Sequence, residues 1–447
     1  MNVDEEKHPK ADFADAGSLQ HGDVGNMGHL HRRLNNRQIQ LIAAGGSIGT
    51  ALFISIGSGL AKGGPGSLLI AYTLYSLVLA LVNNSIAEMN TYMPVAGFLA
   101  GWNFFLYEAL IIPFEITALT FVISFWDDTV TNPGPTAGVC AAVIVCYGRL
   151  QAFLKPRSAF KTVYYRFYIF FIVSALAVGI VCAYNDPTLV KIYFGSGSSS
   201  SAAASPYVIA MSNLGVKGLP HLVNFLILTS IFSAGNTYTY CATRALYSLA
   251  LKGHAPQFLR YYNKAGVPVY YFYVVICFPF LSFLQVANGS TKVLGWLISI
   301  VTGGSLITFI VISITYINYH KAYIAQGVDQ KTEHPYYGYF QPYRAYIALV
   351  IQFIIVLTYG YYAFRPRFNV EVFFQNYSMQ ILAVLLFSGW KLFKRTRYIR
   401  PHEVDLVWER PQIEAYENSF TEPPVGFWTE MAQLVGFRRN EKTSAEA

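Results

Sequence analysis

The sequence has 447 residues, of which 54% are hydrophobic and only 13% charged, and its mean hydropathy is +0.36. That is about half the charge of an ordinary soluble domain, so the chain belongs in lipid and not in water. Lys and Arg outnumber Asp and Glu by 32 to 24, a net charge of +8. This excess follows membrane topology, as counted below, and implies no nucleic-acid partner.

The first 37 residues are polar and mix Asp4, Glu5 and Glu6 with Lys7 and Lys10, so no signal peptide is expected. The first apolar segment then doubles as the targeting signal. Apolar residues gather into blocks of roughly 18 to 25, the length that crosses about 30 Å of hydrocarbon at 1.5 Å per residue. Ten spans are predicted, near Gln38 to Leu60, Ser67 to Met89, Phe98 to Trp126, Thr136 to Tyr147 and Tyr164 to Tyr184, then His221 to Tyr247, Val269 to Val286, Val293 to Asn318, Tyr346 to Phe364 and Phe373 to Phe393. The fourth is short. Residues 1–37 and 394–447 are polar tails around one membrane domain, 38–393, and Gly195 to Ser205 is a low-complexity insert.

With both tails in the cytosol, the inner segments hold 26 Lys and Arg and the outer ones only 6: Lys62, Lys191, Lys217, Lys292, Arg365 and Arg367. That distribution obeys the positive-inside rule. The sequons at Asn288 and Asn376 fall at outward-facing ends. Cys140, Cys146, Cys182, Cys241 and Cys277 lie in apolar spans without metal-ligand spacing, so packing is expected of them and no metal or cofactor site is predicted.

Within the first span, Gly45, Gly46 and Gly49 fall in five residues, followed by Thr50, Ala51, Leu52 and Phe53. Glycine costs about 1 kcal/mol relative to Ala inside a helix. A helix broken here would leave free N–H groups on Gly46, Ser47, Ile48, Gly49 and Thr50, which with the helix dipole form a carboxylate site. Alternatively, the small residues let another helix pack closely. On the pattern alone both readings stand.

Glu108 and Glu115 lie seven apart in the third span, about 20° from each other on one helical face. Ionisable residues at membrane depth are functional candidates by default. Glu115, just after Pro113, is the better candidate for a proton carrier or an ammonium partner, with Glu108 second; the alternative is a neutral carboxyl bonded between helices. Thr229, Ser233, Asn236 and Tyr240 form a polar stripe at i, i+4, i+7 and i+11. It reads equally as a solute path or as interhelical hydrogen bonding. Thr302 and Ser305, beside Gly303 and Gly304, resemble it with less claim to function. Glu88 and Arg244 sit at inner span edges, where interfacial anchoring is expected ahead of a gating salt bridge. His221, at an outer helix end, reads as structural.

The run Gln38 to Phe53 resembles the first helix of the fungal amino-acid permeases of the amino acid-polyamine-organocation superfamily, with Ala51 departing from the usual glycine. Glu88-Met89 with Tyr92 to Gly97 resembles the end of that family's second helix, and Gly101-Trp102-Asn103 with Pro113-Phe-Glu115 its third. Ser233 to Asn236, Arg244 to Tyr247, Gly253 to Pro256 and Gly266 to Pro268 are similar to its eighth helix and the following loop. The resemblance implies an all-α, LeuT-like bundle of two inverted five-helix repeats with discontinuous first and sixth helices at the substrate. It implies an amino-acid solute, its carboxylate on the first helix, with proton symport by alternating access in the plasma membrane.

By this alignment about fifteen residues are missing between Gly97 and Phe98. The chain also passes from Gly148 to Ser158 without the family's helices 5 and 6. Ten spans instead of twelve preserve the orientation of every later helix, but the ammonium pocket loses a wall. The expected function is amino-acid transport; the alternative is a truncated, non-transporting permease acting as a membrane sensor or partner. No HExxH, GxSxG or DxxD-type cluster occurs in the spans, so no enzyme is expected.

Overall fold

A computed structural model describes residues 51–92, 98–151, 163–194, 205–216, 218–251, 253–256, 259, 269–328, 338, 340–395, 397, 399–404 and 406. All regular structure among them is helical, in an all-α membrane bundle. In chain order the helices are α1 (Ile56–Tyr92), α2 (Phe98–Ile123), α3 (Pro133–Gln151), α4 (Val163–Val181), α5 (Pro187–Phe194) and α6 (Pro206–Asn213). They continue with α7 (Leu219–Leu251), α8 (Val269–Cys277), α9 (Leu284–Asn288), α10 (Ser290–Ala325), α11 (Tyr343–Thr358) and α12 (Val370–Lys394).

The expected spans map onto these helices with shifted ends. Of the first span, residues 38–50 lie outside the described residues; the rest opens as a π-helical turn, Ala51–Ser55, that runs into α1. The predicted break between the first and second spans falls at Gly64, whose φ of 71° and ψ of 173° interrupt α1 just before Pro65. Only glycine reaches that backbone region without strain. The short fourth span is a full 19-residue helix, α3, because Pro133 starts it at the first helical position. The seventh is divided: α8 gives way at Phe278–Phe283 to a 3-10 segment containing Pro279, then to α9.

Six stretches among the described residues are long and apolar enough to cross a membrane: Phe53–Ile86, Gly101–Ile123, Tyr270–Asn288, Lys292–Ala325, Tyr343–Ala363 and Val370–Lys394. The polar stripe lowers the hydropathy of α7, which at 33 residues is long enough to span. Lipid-facing stripes mark the outside of the bundle. Ile70, Leu74 and Leu77 on α1, and Val350, Phe353, Ile354 and Leu357 on α11, are all more than half exposed at helical spacing.

Helix α2 lies at the centre. Its apolar window is 78% buried against 17% for α1 and α12, and every residue from Ile111 to Val122 is buried. It is pinned from two sides by polar side chains that reach backbone carbonyls. Asn224 of α7 donates to the Val122 carbonyl at 3.1 Å, and Asn103 of α2 donates to the Gly304 carbonyl of α10 at 2.8 Å and to the Thr308 hydroxyl at 2.7 Å. Close approach between α3 and α7 depends on Gly235, where the buried Tyr147 ring leans against Phe232 at 5.1 Å between centroids.

A β-carbon at Gly235 would collide with the Tyr147 hydroxyl and ring. Gly235→Ala is therefore expected to destabilise the protein by about 1 to 3 kcal/mol, the usual cost of overpacking. Thermal unfolding in detergent would read this as a lowered Tm, with partial recovery when Tyr147→Phe removes the colliding oxygen. An unchanged Tm would mean that α3 and α7 approach less closely than described.

Candidate functional site

The two carboxylates of α2 are both buried, Glu108 at 6% exposure and Glu115 at 2%. The Oε2 atom of Glu108 has no hydrogen-bond partner among the described residues. Tyr107 and Tyr238 lie within electrostatic reach of both carboxyls, Cys241 within reach of Glu108, and Tyr147 within reach of Glu115. The Tyr147 hydroxyl is likewise buried without a hydrogen bond among the described residues. The seven-residue spacing has thus placed both acids toward an interior of tyrosines contributed by α2, α3 and α7. That interior offers donors and aromatic faces, the surroundings in which a carboxylate can hold a proton or a cation.

Pro113 lies between the two acids, and the Thr117 hydroxyl donates to its carbonyl at 2.8 Å. A proline cannot donate to the helix ladder, so this part of α2 has weaker backbone pairing beside Glu115. Candidates Gly46, Ser47, Ile48, Gly49 and Thr50 lie outside the described residues. The nearest described backbone is the π-helical turn from Ala51, a geometry that inserts an extra residue per turn and recurs at functional sites.

Along α7 the predicted stripe divides. Ser233 and Asn236 are half-buried, whereas Thr229 is exposed and its hydroxyl is turned back onto the Leu226 carbonyl at 2.8 Å. Tyr240 is half-buried beneath Arg244, whose guanidinium carbon sits 5.3 Å from the ring centroid. Thr302 and Ser305 are also half-buried and bond to carbonyls of their own helix, at 2.7 and 2.8 Å. His221 is exposed and meets the Phe125 ring edge-on at 5.1 Å. Of the two sequons, Asn288 is exposed, but Asn376 is buried and bonded to the Val372 carbonyl and the Tyr362 hydroxyl, which excludes it as a glycan acceptor in this fold.

Glu88 is placed differently from expectation. It is completely buried and ion-paired with Arg344 of α11, not anchored at an interface and not paired with Arg244. Sequence reasoning missed this partner because 256 residues separate the two and Arg344 reads as an ordinary basic residue at a span edge.

The family model for amino acid permeases matches residues 38–150 and 156–401. The chain belongs to the amino acid permease family. A general amino acid permease of Saccharomyces cerevisiae is 32% identical to it, covering 86% of this chain and 83% of its own length. The proline-specific permease of Emericella nidulans is 27% identical over 92% of this chain and 94% of its own length, and a lysine/arginine permease of Candida albicans 28% identical over 87% and 85%. The first two alignments run to 500 and 528 positions, more than the 447 residues of the chain, so those permeases carry segments with no counterpart here. The family match itself parts at residues 150 and 156, between α3 and α4. As a member of a permease family, the protein is an integral membrane protein that moves a solute rather than an enzyme that converts one.

Asn103 joins the acid-bearing helix to α10, and its removal would loosen the site from that side. Asn103→Ala is expected to cost about 1 to 3 kcal/mol, the range for losing buried hydrogen bonds. The Tm in detergent would record that loss, and Thr308→Val combined with it should cost less than the two single changes added together, because they share the bond. Full additivity would show that the Asn103 amide and the Thr308 hydroxyl are not coupled.

Proposed function

We propose that this permease carries amino acids across the plasma membrane by proton-coupled symport, through alternating access, with both termini in the cytosol. The observation that carries this reading is the pair of acids enclosed at the centre of the bundle, in a chain whose relatives are permeases for general, proline and basic amino acids. The solute's carboxylate would lie on the backbone amides of Gly46, Ser47, Ile48, Gly49 and Thr50, where a broken helix presents unpaired N–H groups. Its ammonium group would face Glu115, with Ser233 and Asn236 of α7 as further contacts. Glu115 is the first candidate to exchange a proton during the cycle, and Glu108 the second.

A second reading has its own support. The curated permeases contain segments that this chain lacks, and the two stretches of family match meet where family helices 5 and 6 are expected. Without those helices the ammonium pocket has one wall fewer, and a sensor or partner role that binds without flux becomes the alternative.

Reconstituted vesicles separate the two. Transport predicts that a labelled amino acid accumulates under an inward proton gradient and that a protonophore abolishes the accumulation. Glu115→Gln should leave the protein folded while reducing proton-driven accumulation at least tenfold, and Glu108→Gln should reduce it less. Saturable binding without accumulation would favour the sensor, and normal proton-driven uptake by Glu115→Gln would remove that residue from the coupling role.

A further inference from the structure

The tail-side end of the bundle is organised around one ion pair, formed where α1, α10 and α11 meet. Glu88 and Arg344 are both fully buried and bonded through Arg344 Nη2. The Glu88 carboxylate also accepts from the Tyr316 hydroxyl, 3.3 and 3.2 Å from its two oxygens, from the Gly338 amide at 3.3 Å and from the Gln341 side-chain amide. Arg344 donates to the Tyr316 oxygen at 2.9 Å, and its guanidinium carbon lies 4.8 Å from that ring's centroid. Gly338 has no room for a β-carbon, because Arg344 and Asn84 already fill the space.

A permanent joint between helices needs no charge, since a buried ion pair can be replaced by apolar residues of similar volume at little or no loss of stability. A joint that opens to water has a different requirement. Its faces must be soluble when parted, and a carboxylate and a guanidinium meet that requirement where apolar faces would not.

The carboxy-terminal tail lies against the same place. The Gln326 amide, at the end of α10, donates to the Pro401 carbonyl at 3.1 Å and to the Val404 carbonyl at 2.7 Å. Leu406, 6% exposed, packs in one cluster with Tyr316, Tyr323 and Ala345, and Met89 and Val404 lie against that cluster.

We propose that Glu88 and Arg344 form a latch that closes the solute path on the tail side while the path is open on the other, and that Pro401 to Val404, together with Leu406, act as a strap favouring the closed latch. The proposal rests on the transport reading. Breaking the latch shifts the protein toward the form open on the tail side, so apparent affinity for solute on the opposite side falls by the fraction of molecules still competent there.

The experiment uses the full chain in vesicles whose sidedness is determined on a separate sample by protease accessibility of the tail, with the labelled amino acid that wild-type vesicles accumulate best. Glu88→Gln and Arg344→Gln are expected to raise KM on the face opposite the tail threefold or more, and Arg344→Lys, which keeps the charge, to raise it less. Gln326→Ala, which loosens only the strap, should raise KM by a smaller factor and keeps the proposal testable if the charge variants fail to fold. Lost rate at unchanged KM in the charge variants, or an unchanged KM in Gln326→Ala when those variants do not fold, would make the pair a static brace and overturn the latch. Absence of uptake by the wild type overturns the transport reading and the latch together.

Discussion

Everything in this bundle answers to the lack of water inside a membrane, where each polar group must find a partner within the protein. Serine and threonine hydroxyls in the long helices meet the demand locally by donating to carbonyls three or four residues back, as Thr237, Thr239 and Thr243 do in succession along α7. Side chains with two donors are used between helices instead. Asn103 holds α2 to α10, and Gln375 of α12 donates both to the Gly295 carbonyl and to the Ser299 hydroxyl of α10. Glu88 and Arg344 are the extreme case, two full charges made tolerable by one another and by their neutral donors.

Against that background the acids of α2 stand out. Glu108 and Glu115 occupy the most enclosed span among the described residues, yet Glu108 Oε2, and the Tyr147 hydroxyl on the Glu115 side, have no hydrogen bonds among those residues. Buried polar atoms without a partner among the described residues also occur at Ser205, Gln352 and Gln380, but Glu108 supplies the one carboxylate oxygen among them, an acceptor for a proton, a water or a solute. The Glu88 and Glu108 carboxyls therefore differ in their surroundings. The Glu88 carboxylate accepts from Arg344, Tyr316, Gly338 and Gln341, while Glu108 Oε2 accepts from no donor among the described residues.

Membership of the amino acid permease family joins these observations to solute movement, and the gapped alignments indicate that this chain carries out whatever it does with fewer segments than its curated relatives. The described part of the bundle remains well packed despite this. Two large apolar clusters flank α2, one built largely with α1 and α10, joined by residues of α4 to α7, and the other with α3, α7 and α8.

Much of the fold could be read from the sequence. Hydropathy in blocks of membrane length located the helices, the spacing of Glu108 and Glu115 put both on one face, and the gap between the first two spans, Leu60 to Ser67, enclosed the break at Gly64, all consequences of local periodicity and backbone chemistry. The family, too, was legible in short motifs spread along the chain. Tertiary structure alone decided which polar residues meet. Glu88 found Arg344 rather than Arg244, Asn376 went inside while Asn288 stayed out, and Thr229 turned away from the stripe that Ser233 and Asn236 keep. The physical reason is that a span's sequence states the period of its faces but not the rotation that packing imposes on them, and partners hundreds of residues apart are chosen by that rotation.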